Sequence, residues 1–139
     1  MDTLRPKVAV NVFVIKNDQV LLGKRKNAAG EGDWGLPGGH VEWMERLTVA
    51  AKRELEEETG LKAKKLSFLH AVNDPNAEDN SHYLHVCFVA DEYEGEPKLM
   101  EPHKCHEWKW FSLDMLPKNI FIGHRKLFEY FKQGGVFFD

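Results

Sequence analysis

Gly39 to Leu61, with the sequence GHVEWMERLTVAAKRELEEETGL, is the stretch that decides how this chain is built. From about Arg46 to Thr59 its residues are mostly strong helix formers. Gly60 followed by the apolar Leu61 is a usual way for a helix to end in a left-handed cap. The stretch therefore predicts one helix with well-defined bounds.

Three glutamates share one face of this helix on a wheel drawn at about 100° per residue, namely Glu54, Glu57 and Glu58. The same face carries apolar residues earlier in the helix: Leu47, Ala50, Ala51 and, at the edge, Leu55. The opposite face carries Lys52, Glu56 and Thr59, with Val49 as its one apolar exception. The stripe expected to face the core therefore becomes acidic in its last two turns.

The free-energy cost of placing these carboxylates on one helix face depends on how deeply they are buried. Like charges three or four residues apart on an exposed helix cost only about 0.2 to 0.5 kcal/mol per pair. Burial of an uncompensated ion costs several kcal/mol. A glutamate-rich solvated face is the alternative, and it fits Glu56 but not the other three. A hard divalent cation such as Mg²⁺ removes the penalty and bridges carboxylates to substrate phosphates, so the pattern favours a metal site.

The residues around the helix start support this interpretation. Gly38 and Gly39 provide bare backbone whose carbonyls can approach an ion. Glu45 lies eight residues before Arg53, and Arg53 can reach Glu57 or Glu56 on its own helix. We therefore expect Arg53 to hold the acidic cluster in register.

Composition and charge limit the kind of function. A chain of 139 residues is the size of one domain, so we expect residues 1–139 to form a single unit. The net charge of −3 argues against a nucleic-acid duplex as partner and favours a small ligand. No apolar run approaches the roughly 18 residues needed to span a membrane, and no signal peptide is evident. These features favour a cytoplasmic location.

Cysteines and histidines suggest a second metal hypothesis. The chain has only two cysteines, which favours reduced thiols over a disulfide framework. Two groups could be considered as zinc ligands: His82, His85 and Cys87, and His103, Cys105 and His106. Their spacings match no closed four-ligand pattern, and neighbouring strand residues point to opposite faces. Ordinary strand and loop positions are the favoured interpretation.

Strands account for most of the remaining predicted structure. The predicted strands are Val8–Ile15, Gln19–Arg25, Leu66–Val72, Tyr83–Ala90 and Trp108–Ser112, the first two joined by a turn at 16–18. Predicted loops and turns are at 27–33, 37–39, 73–81 and 92–98, and a second helix is predicted over about Gly123–Gln133. This order favours an α+β fold, with a mixed sheet covered by helices.

The glycine, glutamate and arginine spacing resembles a known signature. Gly39, five residues, Glu45, seven residues, and then Arg53 to Leu61 match every defined position of the Nudix box, a signature of 23 residues here. The chain is thus identified as similar to the Nudix hydrolases. The resemblance implies an α/β/α sandwich in which the box forms a loop, a helix and a loop.

The resemblance also implies roles for the box residues. Glu54, Glu57 and Glu58 would be the catalytic glutamates and, with the Gly39 carbonyl, would bind Mg²⁺ or Mn²⁺. Glu54 would be a further metal ligand or the general base. Glu45 and Arg53 would form a structural ion pair. Water would attack one phosphorus and release a nucleoside monophosphate and pyrophosphate from a triphosphate.

Sequence outside the box is similar to MutT-type nucleotide diphosphatases, especially those acting on guanine and thiopurine nucleotides. By this comparison, Arg25 could steer phosphates, whereas Leu36, Phe121 and Gly123 would line the base pocket. Glu101 or Glu107, which lie after the box in the sequence, would add a further metal ligand. Met44, where a glycine is common, and His124, in place of an apolar residue, depart from the pattern. The resemblance further implies a homodimer.

Two alternatives concern the activity itself. The first keeps the enzyme class and changes the substrate to a nucleotide sugar, ADP-ribose or another nucleoside diphosphate derivative. It stays open because the glutamates would contact only phosphates and metal, which these substrates share. The second is a non-catalytic module that senses a nucleotide. Such a module would be free to lose its acids, whereas every box position here is filled.

Overall fold

The computed structural model describes residues 3–139, in which strands predominate. The strands are β1 Lys7–Lys16, β2 Gln19–Arg25, β3 Trp34–Gly35, β4 Gly38–His40, β5 Lys62–Asn76, β6 Ser81–Glu94, β7 Cys105–Ser112 and β8 Phe137–Phe138. The helices are α1 Leu47–Thr59 and α2 Arg125–Gln133, and a short 3₁₀ turn, Ile122–His124, leads into α2. In this part of the chain, neither helix combines the length and apolar character needed to cross a bilayer.

The described strands form one mixed sheet with β1 near its centre. β1 pairs antiparallel with β2 and β4 and parallel with β6, from Lys7↔Tyr83 to Val14↔Ala90. β5 pairs antiparallel with β6 and parallel with β8. β2 also carries β3 and β7 as antiparallel neighbours. The prediction of a mixed sheet is confirmed.

The two faces of this sheet are covered by different helices. Alternate side chains of β1 point to opposite faces. Val10, Val12 and Val14 join the cluster that contains the buried side of α1, and Phe13 joins the cluster that contains the buried side of α2. A fully buried Val, Leu or Phe contributes about 1.5–3 kcal/mol relative to an exposed one. The predicted α/β/α sandwich is therefore present.

Several local predictions are confirmed with small shifts in their bounds. The β1–β2 hairpin turns through Asn17 and Asp18, both with positive φ, as a two-residue primed turn requires. β7 begins three residues earlier than predicted, at Cys105. The second helix begins at Arg125, because residues 122–124 form a 3₁₀ turn. The predicted turn at 37–39 is instead a bend that leads into the short strand β4.

The predicted turn regions at 73–81 and 92–98 are partly wrong. Residues 73–76 continue β5, and the turn is confined to residues 77–80. Likewise, β6 extends to Glu94. Asn73 pairs with Leu84, and Asp74 pairs with Tyr83. A neighbouring strand satisfies the backbone of these polar residues, so strand pairing overrides their turn preference.

Candidate active site

The acidic side chains of α1 differ in their burial. Ala50, Ala51 and Leu55 are fully buried against the sheet. Next to them, the Glu54 side chain is 16% exposed and Glu58 is partly buried. The Glu57 side chain is 52% exposed. The inward face therefore carries Glu54 and Glu58, while Glu57 lies at its outer edge, where it contacts solvent.

Two helical-wheel predictions for α1 are wrong. Thr59, which was placed on the outward face, is fully buried, and Leu47, which was placed inward, is 39% exposed. The buried direction lies between Ala51 and Leu55 instead of through Glu54, which brings Thr59 inward. Its hydroxyl donates to the Leu55 carbonyl at 2.6 Å and accepts the Leu61 N–H at 3.1 Å. These local hydrogen bonds remove the cost of burying the hydroxyl.

Arg53 connects the residue before the helix to the acids on it. Its Nε and Nη2 donate to the two carboxylate oxygens of Glu45 at 2.7 and 2.9 Å, which is a bidentate ion pair. Its Nη1 donates to Glu54 at 2.9 Å and to Glu57 at 3.3 Å. Hydrogen bonds from Arg53 lower the pKa of Glu45 to about 2. The guanidinium therefore fixes the relative positions of these carboxylates.

Glu58 reaches from α1 to the start of β4. Its Oε2 accepts the Gly38 N–H at 2.9 Å. Burial raises the pKa of Glu58 well above its usual value, although the Gly38 hydrogen bond acts in the opposite direction. Burial also raises the pKa of Glu54, against the effect of Arg53. Both sites thus disfavour an uncompensated negative charge.

Gly38 and Gly39 bring the β4 backbone very close to its neighbours. A Cβ atom at Gly39 would lie 2.5 Å from the carboxyl carbon of Glu54. A Cβ atom at Gly38 would lie 2.1 Å from the Val10 carbonyl oxygen. Neither approach leaves room for a side chain. The absence of a side chain at both positions therefore lets the Glu54 carboxylate lie directly against the β4 backbone.

The donor set fits a hard divalent cation. Carboxylates and a backbone carbonyl are the ligands that Mg²⁺ and Mn²⁺ prefer, and the two partly buried acids need a positive charge. Among residues 3–139, no three His, Cys, Asp or Glu side chains are gathered tightly enough to ligate an ion as they stand. Arg53 donates hydrogen bonds to Glu54 and Glu57, whereas the Glu58 carboxylate accepts one from the Gly38 N–H. Side-chain rotation is therefore needed to bring the carboxylates together.

A cavity of about 380 Å³ opens next to Glu58. Four of the residues that the sequence suggested for substrate binding line it: Arg25, Leu36, Phe121 and Gly123. The Arg25 guanidinium stacks 3.7 Å above the Phe121 ring, and its Nε donates to the Ala29 carbonyl at 2.8 Å. Burial lowers the pKa of Arg25, and the charge of Glu58 opposes this shift.

Glu101 lies outside this cavity. It lines a small cleft of about 60 Å³ next to Glu58, together with Lys104 and Trp108. The Lys104 ammonium is 3.8 Å from the Glu101 carboxylate. The negative charge of Glu101 contributes to raising the pKa of both Glu54 and Glu58. Glu101 is thus placed beside the acidic cluster, in a cleft that shares Arg25, Leu36 and Glu58 with the larger cavity.

Sequence reasoning missed three buried polar residues that line the larger cavity, Asn11, Asp74 and His85. Asn11 interrupts the apolar run of β1, and this interruption was a signal that could have revealed it. Asp74 lay within a segment predicted as a turn. His85 was considered only as a zinc ligand. Their shared position depends on the pairing of β1, β6 and β5, which the sequence does not display.

Comparisons with known proteins agree with this geometry. The NUDIX domain family matches residues 5–131. A protein of Methanocaldococcus jannaschii named ADP-ribose pyrophosphatase is 39% identical over 124 residues, which is 89% of this chain and 72% of that protein. A Danio rerio protein named oxidized purine nucleoside triphosphate hydrolase is 35% identical over 115 residues, covering 80% of this chain and 69% of that protein.

Solved structures show the same fold. The crystal structure of a MutT NUDIX hydrolase from Burkholderia pseudomallei matches with a TM-score of 0.85 and 34% identity. The match covers 91% of this chain and 98% of that one. The complete box, the acids held by Arg53 against the Gly38–Gly39 backbone and these matches lead to one conclusion. The chain belongs to the Nudix hydrolase family and is a Nudix hydrolase.

Proposed function

We propose that this enzyme uses Mg²⁺ or Mn²⁺ to hydrolyse a phosphoanhydride bond of a nucleoside triphosphate to a nucleoside monophosphate and pyrophosphate. Triphosphates with a modified or oxidised base, such as 8-oxo-dGTP, are included. One observation carries the proposal: Glu54 and Glu58 are partly buried acids beside Gly38–Gly39, and Glu58 also lines the cavity that contains Arg25. Phosphates and a divalent cation are the groups that this arrangement can bind together.

Glu57, Glu58 and the Gly39 carbonyl would hold the metal, and Glu54 would be a further ligand or the general base. Enzymes of this family generally need a divalent metal such as Mg²⁺. When bound, it lowers the pKa of a coordinated water and neutralises charge on the phosphates. Mg²⁺ usually keeps several waters, so an incomplete set of protein ligands is compatible with its binding.

Glu54 is our candidate for the general base. Arg53 holds its carboxylate at 2.9 Å, and burial raises its pKa toward the range in which a carboxylate accepts a proton efficiently. Glu54 would take a proton from water as the water oxygen forms a bond to phosphorus. The P–O bond to the leaving group then breaks, and pyrophosphate departs with the bonding electron pair.

Arg25 is our candidate for substrate orientation. Its guanidinium is fixed between Phe121 and the Ala29 carbonyl and lines the cavity together with Glu58. A planar guanidinium suits bidentate hydrogen bonding to phosphate oxygens. Leu36, Phe121 and Gly123 line the same cavity and would provide an apolar wall for a base. Glu101, which lies next to Glu58, is the candidate for a further metal ligand from outside the box.

A second candidate is hydrolysis of ADP-ribose, a nucleotide sugar or another nucleoside diphosphate derivative. It is supported by the name of the M. jannaschii relative, ADP-ribose pyrophosphatase. The acidic cluster contacts only metal and phosphate in either case, so it favours neither substrate. The base and sugar contacts decide between them.

Product analysis on a substrate panel tests both candidates. GTP, ATP, 8-oxo-dGTP, ADP-ribose and a nucleotide sugar are incubated with Mg²⁺ and, separately, with excess EDTA. We expect Mg²⁺-dependent release of monophosphate and pyrophosphate, with the highest kcat/KM for a triphosphate. A higher kcat/KM for ADP-ribose, yielding AMP and ribose 5-phosphate, would establish the second candidate. Equal turnover in EDTA would contradict the metal assignment.

We also infer that residues 1–139 act as one domain, because both buried clusters are built on the same sheet. The homodimer and the cytoplasmic location stay predictions from the sequence. Sedimentation analysis of the purified chain tests the first, and fractionation of cells that express it tests the second.

A further inference from the structure

The orientation of Arg25 depends on the loop that follows it in the chain. Its Nε donates to the Ala29 carbonyl at 2.8 Å, and its guanidinium stacks 3.7 Å above the Phe121 ring. An aromatic face attracts a guanidinium but leaves it free to rotate over the ring, whereas a hydrogen bond has a preferred direction. The Ala29 carbonyl therefore sets the direction in which the other two guanidinium nitrogens point.

The turn that carries this carbonyl, residues 27–31, buries little apolar surface. Its sequence is Asn-Ala-Ala-Gly-Glu, and all of these residues except the glycine are exposed. A segment with few buried apolar contacts has a low local stability, so its conformation depends on its hydrogen bonds. The contacts that hold the 27–31 turn therefore decide where the Ala29 carbonyl lies.

Glu31 closes this turn. Its Oε1 accepts the Asn27 N–H at 3.2 Å, so the side chain spans the residues between them, including Ala29. Its Oε2 lies 2.8 Å from Nε2 of His106, and because a carboxylate only accepts, the imidazole N–H donates. Hydrogen bonds from His106 and from the Asn27 N–H lower the pKa of Glu31, so the ionised form accepts both at neutral pH.

His106 connects the turn to the sheet. It lies on β7, which pairs with β2 and places Cys105 next to Arg25. The Asn27 side chain adds a second contact to the same region, since its Nδ2 donates to the His103 carbonyl at 3.0 Å. Both ends of the 27–31 turn are thus attached to β7 or to the residues just before it.

The turn also lies directly against Arg25 and Phe121. A Cβ atom at Gly30 would lie 2.6 Å from Cδ1 of Phe121 and 3.4 Å from Nε of Arg25. Ala29 lines the same cavity as these two side chains. A displacement of the turn would therefore change the surroundings of the guanidinium on two sides at once.

We propose that Glu31 is a positioning residue for Arg25: held by His106, it fixes the 27–31 turn so that the guanidinium points at the substrate phosphates. Glu31 does not line the cavity, so it acts through Arg25. A side chain that is already oriented loses less conformational freedom when the ligand binds. The phosphate contact rests on the proposed function, whereas the chain of hydrogen bonds from His106 to Arg25 does not.

The Arg25 Nε–H provides a test that needs no substrate. In heteronuclear NMR spectra it is the Nε–H signal that Arg25→Lys removes, and the Arg53 signal is identified in the same way. Both groups donate to oxygens, at 2.8 and 2.7 Å. We expect Glu31→Ala to speed solvent exchange of the Arg25 Nε–H by about fivefold or more and to leave Arg53 unchanged. Unchanged exchange at Arg25, or an equal increase at Arg53, overturns the inference.

His106→Phe and His103→Phe form a matched pair for the same measurement. Both replace an exposed histidine, but His106 holds Glu31 with its side chain, whereas His103 contacts the turn through a backbone carbonyl that the substitution keeps. Exposed pairs contribute little to global stability, so both variants should fold, which thermal unfolding checks. His106→Phe should accelerate Arg25 exchange, and His103→Phe should not. Equal results for the two variants contradict the role of His106.

Steady-state kinetics test the consequence for the substrate. On the best substrate of the panel, Glu31→Ala should raise KM by about three- to tenfold and change kcat by less than about twofold, because Arg25 contacts the phosphates before and during the reaction. In an Arg25→Ala background, the same substitution should leave KM unchanged. An equal increase in both backgrounds overturns the inference. If the parent hydrolyses no nucleotide, the proposed function fails, and the exchange rates still decide whether Glu31 positions Arg25.

Discussion

Arg53 is the residue on which the arrangement of the acidic cluster depends. It binds Glu45 with two hydrogen bonds and contacts Glu54 and Glu57 through the remaining nitrogen. A guanidinium can do this because its donors are fixed in one plane, whereas an ammonium is a single point charge. Arg53 thus ties the loop before α1 to the acids on α1.

The Glu45–Arg53 pair predicts how stability depends on pH. The pKa of Glu45 in the folded chain is about 2, below its usual value of 4.5. A depressed pKa means that the stabilisation is complete above pH 4.5 and is lost as the pH falls toward 2. Glu45→Gln should therefore be less stable than the parent at pH 7, and the difference should shrink between pH 4.5 and 2. Urea unfolding of both proteins measures it; a difference that stays constant over this range would contradict the explanation.

Glu57 gives the sharpest test of the metal assignment, because it is the most exposed of the three acids. Glu57→Gln replaces the carboxylate by a neutral amide of the same shape, so the fold should be retained. We expect kcat to fall by about 100-fold or more, because a metal ligand is lost. Steady-state kinetics at saturating Mg²⁺ measure it.

Glu56→Gln is the control for this prediction. Glu56 is exposed on the outward side of the same helix and has the same side chain. Its turnover should stay close to that of the parent. Turnover of Glu57→Gln above about half the parent rate would show that Glu57 does not hold the metal.

At the scale of elements, the connection between β4 and α1 contains a strained residue. Met44 has a φ of 65°, in the left-handed region, and its side chain is 85% exposed. This conformation costs a residue with a Cβ about 1–2 kcal/mol, whereas glycine adopts it freely. A glycine at this position would adopt the same backbone conformation without this cost.

Met44→Gly should stabilise the protein for this reason. Relief of the backbone strain contributes more than the entropic cost of a glycine, which lowers the free energy of the unfolded chain by about 0.4–1 kcal/mol. We therefore expect the free energy of unfolding to rise by roughly 0.5–1 kcal/mol. Chemical unfolding measures the change. Met44→Ala removes the same exposed side chain but keeps the strain, so it should bring no such gain. Equal stabilisation by both variants would exclude the backbone explanation.

Elements set by local chemistry were predictable from the sequence. Gly60 ends α1 with a φ of 77°, and its N–H donates to the Glu56 carbonyl, as expected for a glycine cap. The β1–β2 hairpin likewise follows from Asn17 and Asp18 in its turn. The shared face of the α1 glutamates was predictable because a helix has a fixed period. The spacing of the box residues then indicated the family.

Features that depend on distant pairing were not predictable. From the sequence, Asp74 was predicted to be part of a turn. In the structure, it lies on β5 and pairs with Tyr83 on β6. His85 gains its place in the cavity from β1, β5 and β6 together. Thr59 is buried because of where the sheet lies relative to α1, a direction that a helical wheel does not contain. Each of these errors concerns a contact between residues far apart in the chain.

At the scale of the whole molecule, β1 connects the two halves of the site. Val10 and Asn11 pair with Gly39 and Gly38, which lie against the acidic cluster. Asn11 also contacts His85, and both residues line the cavity. The strand thereby fixes the acidic cluster and the cavity relative to each other, as the proposed binding of one nucleotide across both requires.

The parallel pairing of β1 with β6 should also determine when the enzyme becomes active during folding. Lys7↔Tyr83 and the pairs after it join segments from opposite parts of the chain, and such contacts form slowly. A chain emerging from the ribosome carries every box glutamate before β6 exists, yet its cavity is incomplete because His85 lies on β6. During refolding, recovery of turnover should therefore lag behind the helical signal in circular dichroism. Simultaneous recovery of both would show that this late pairing does not limit activity.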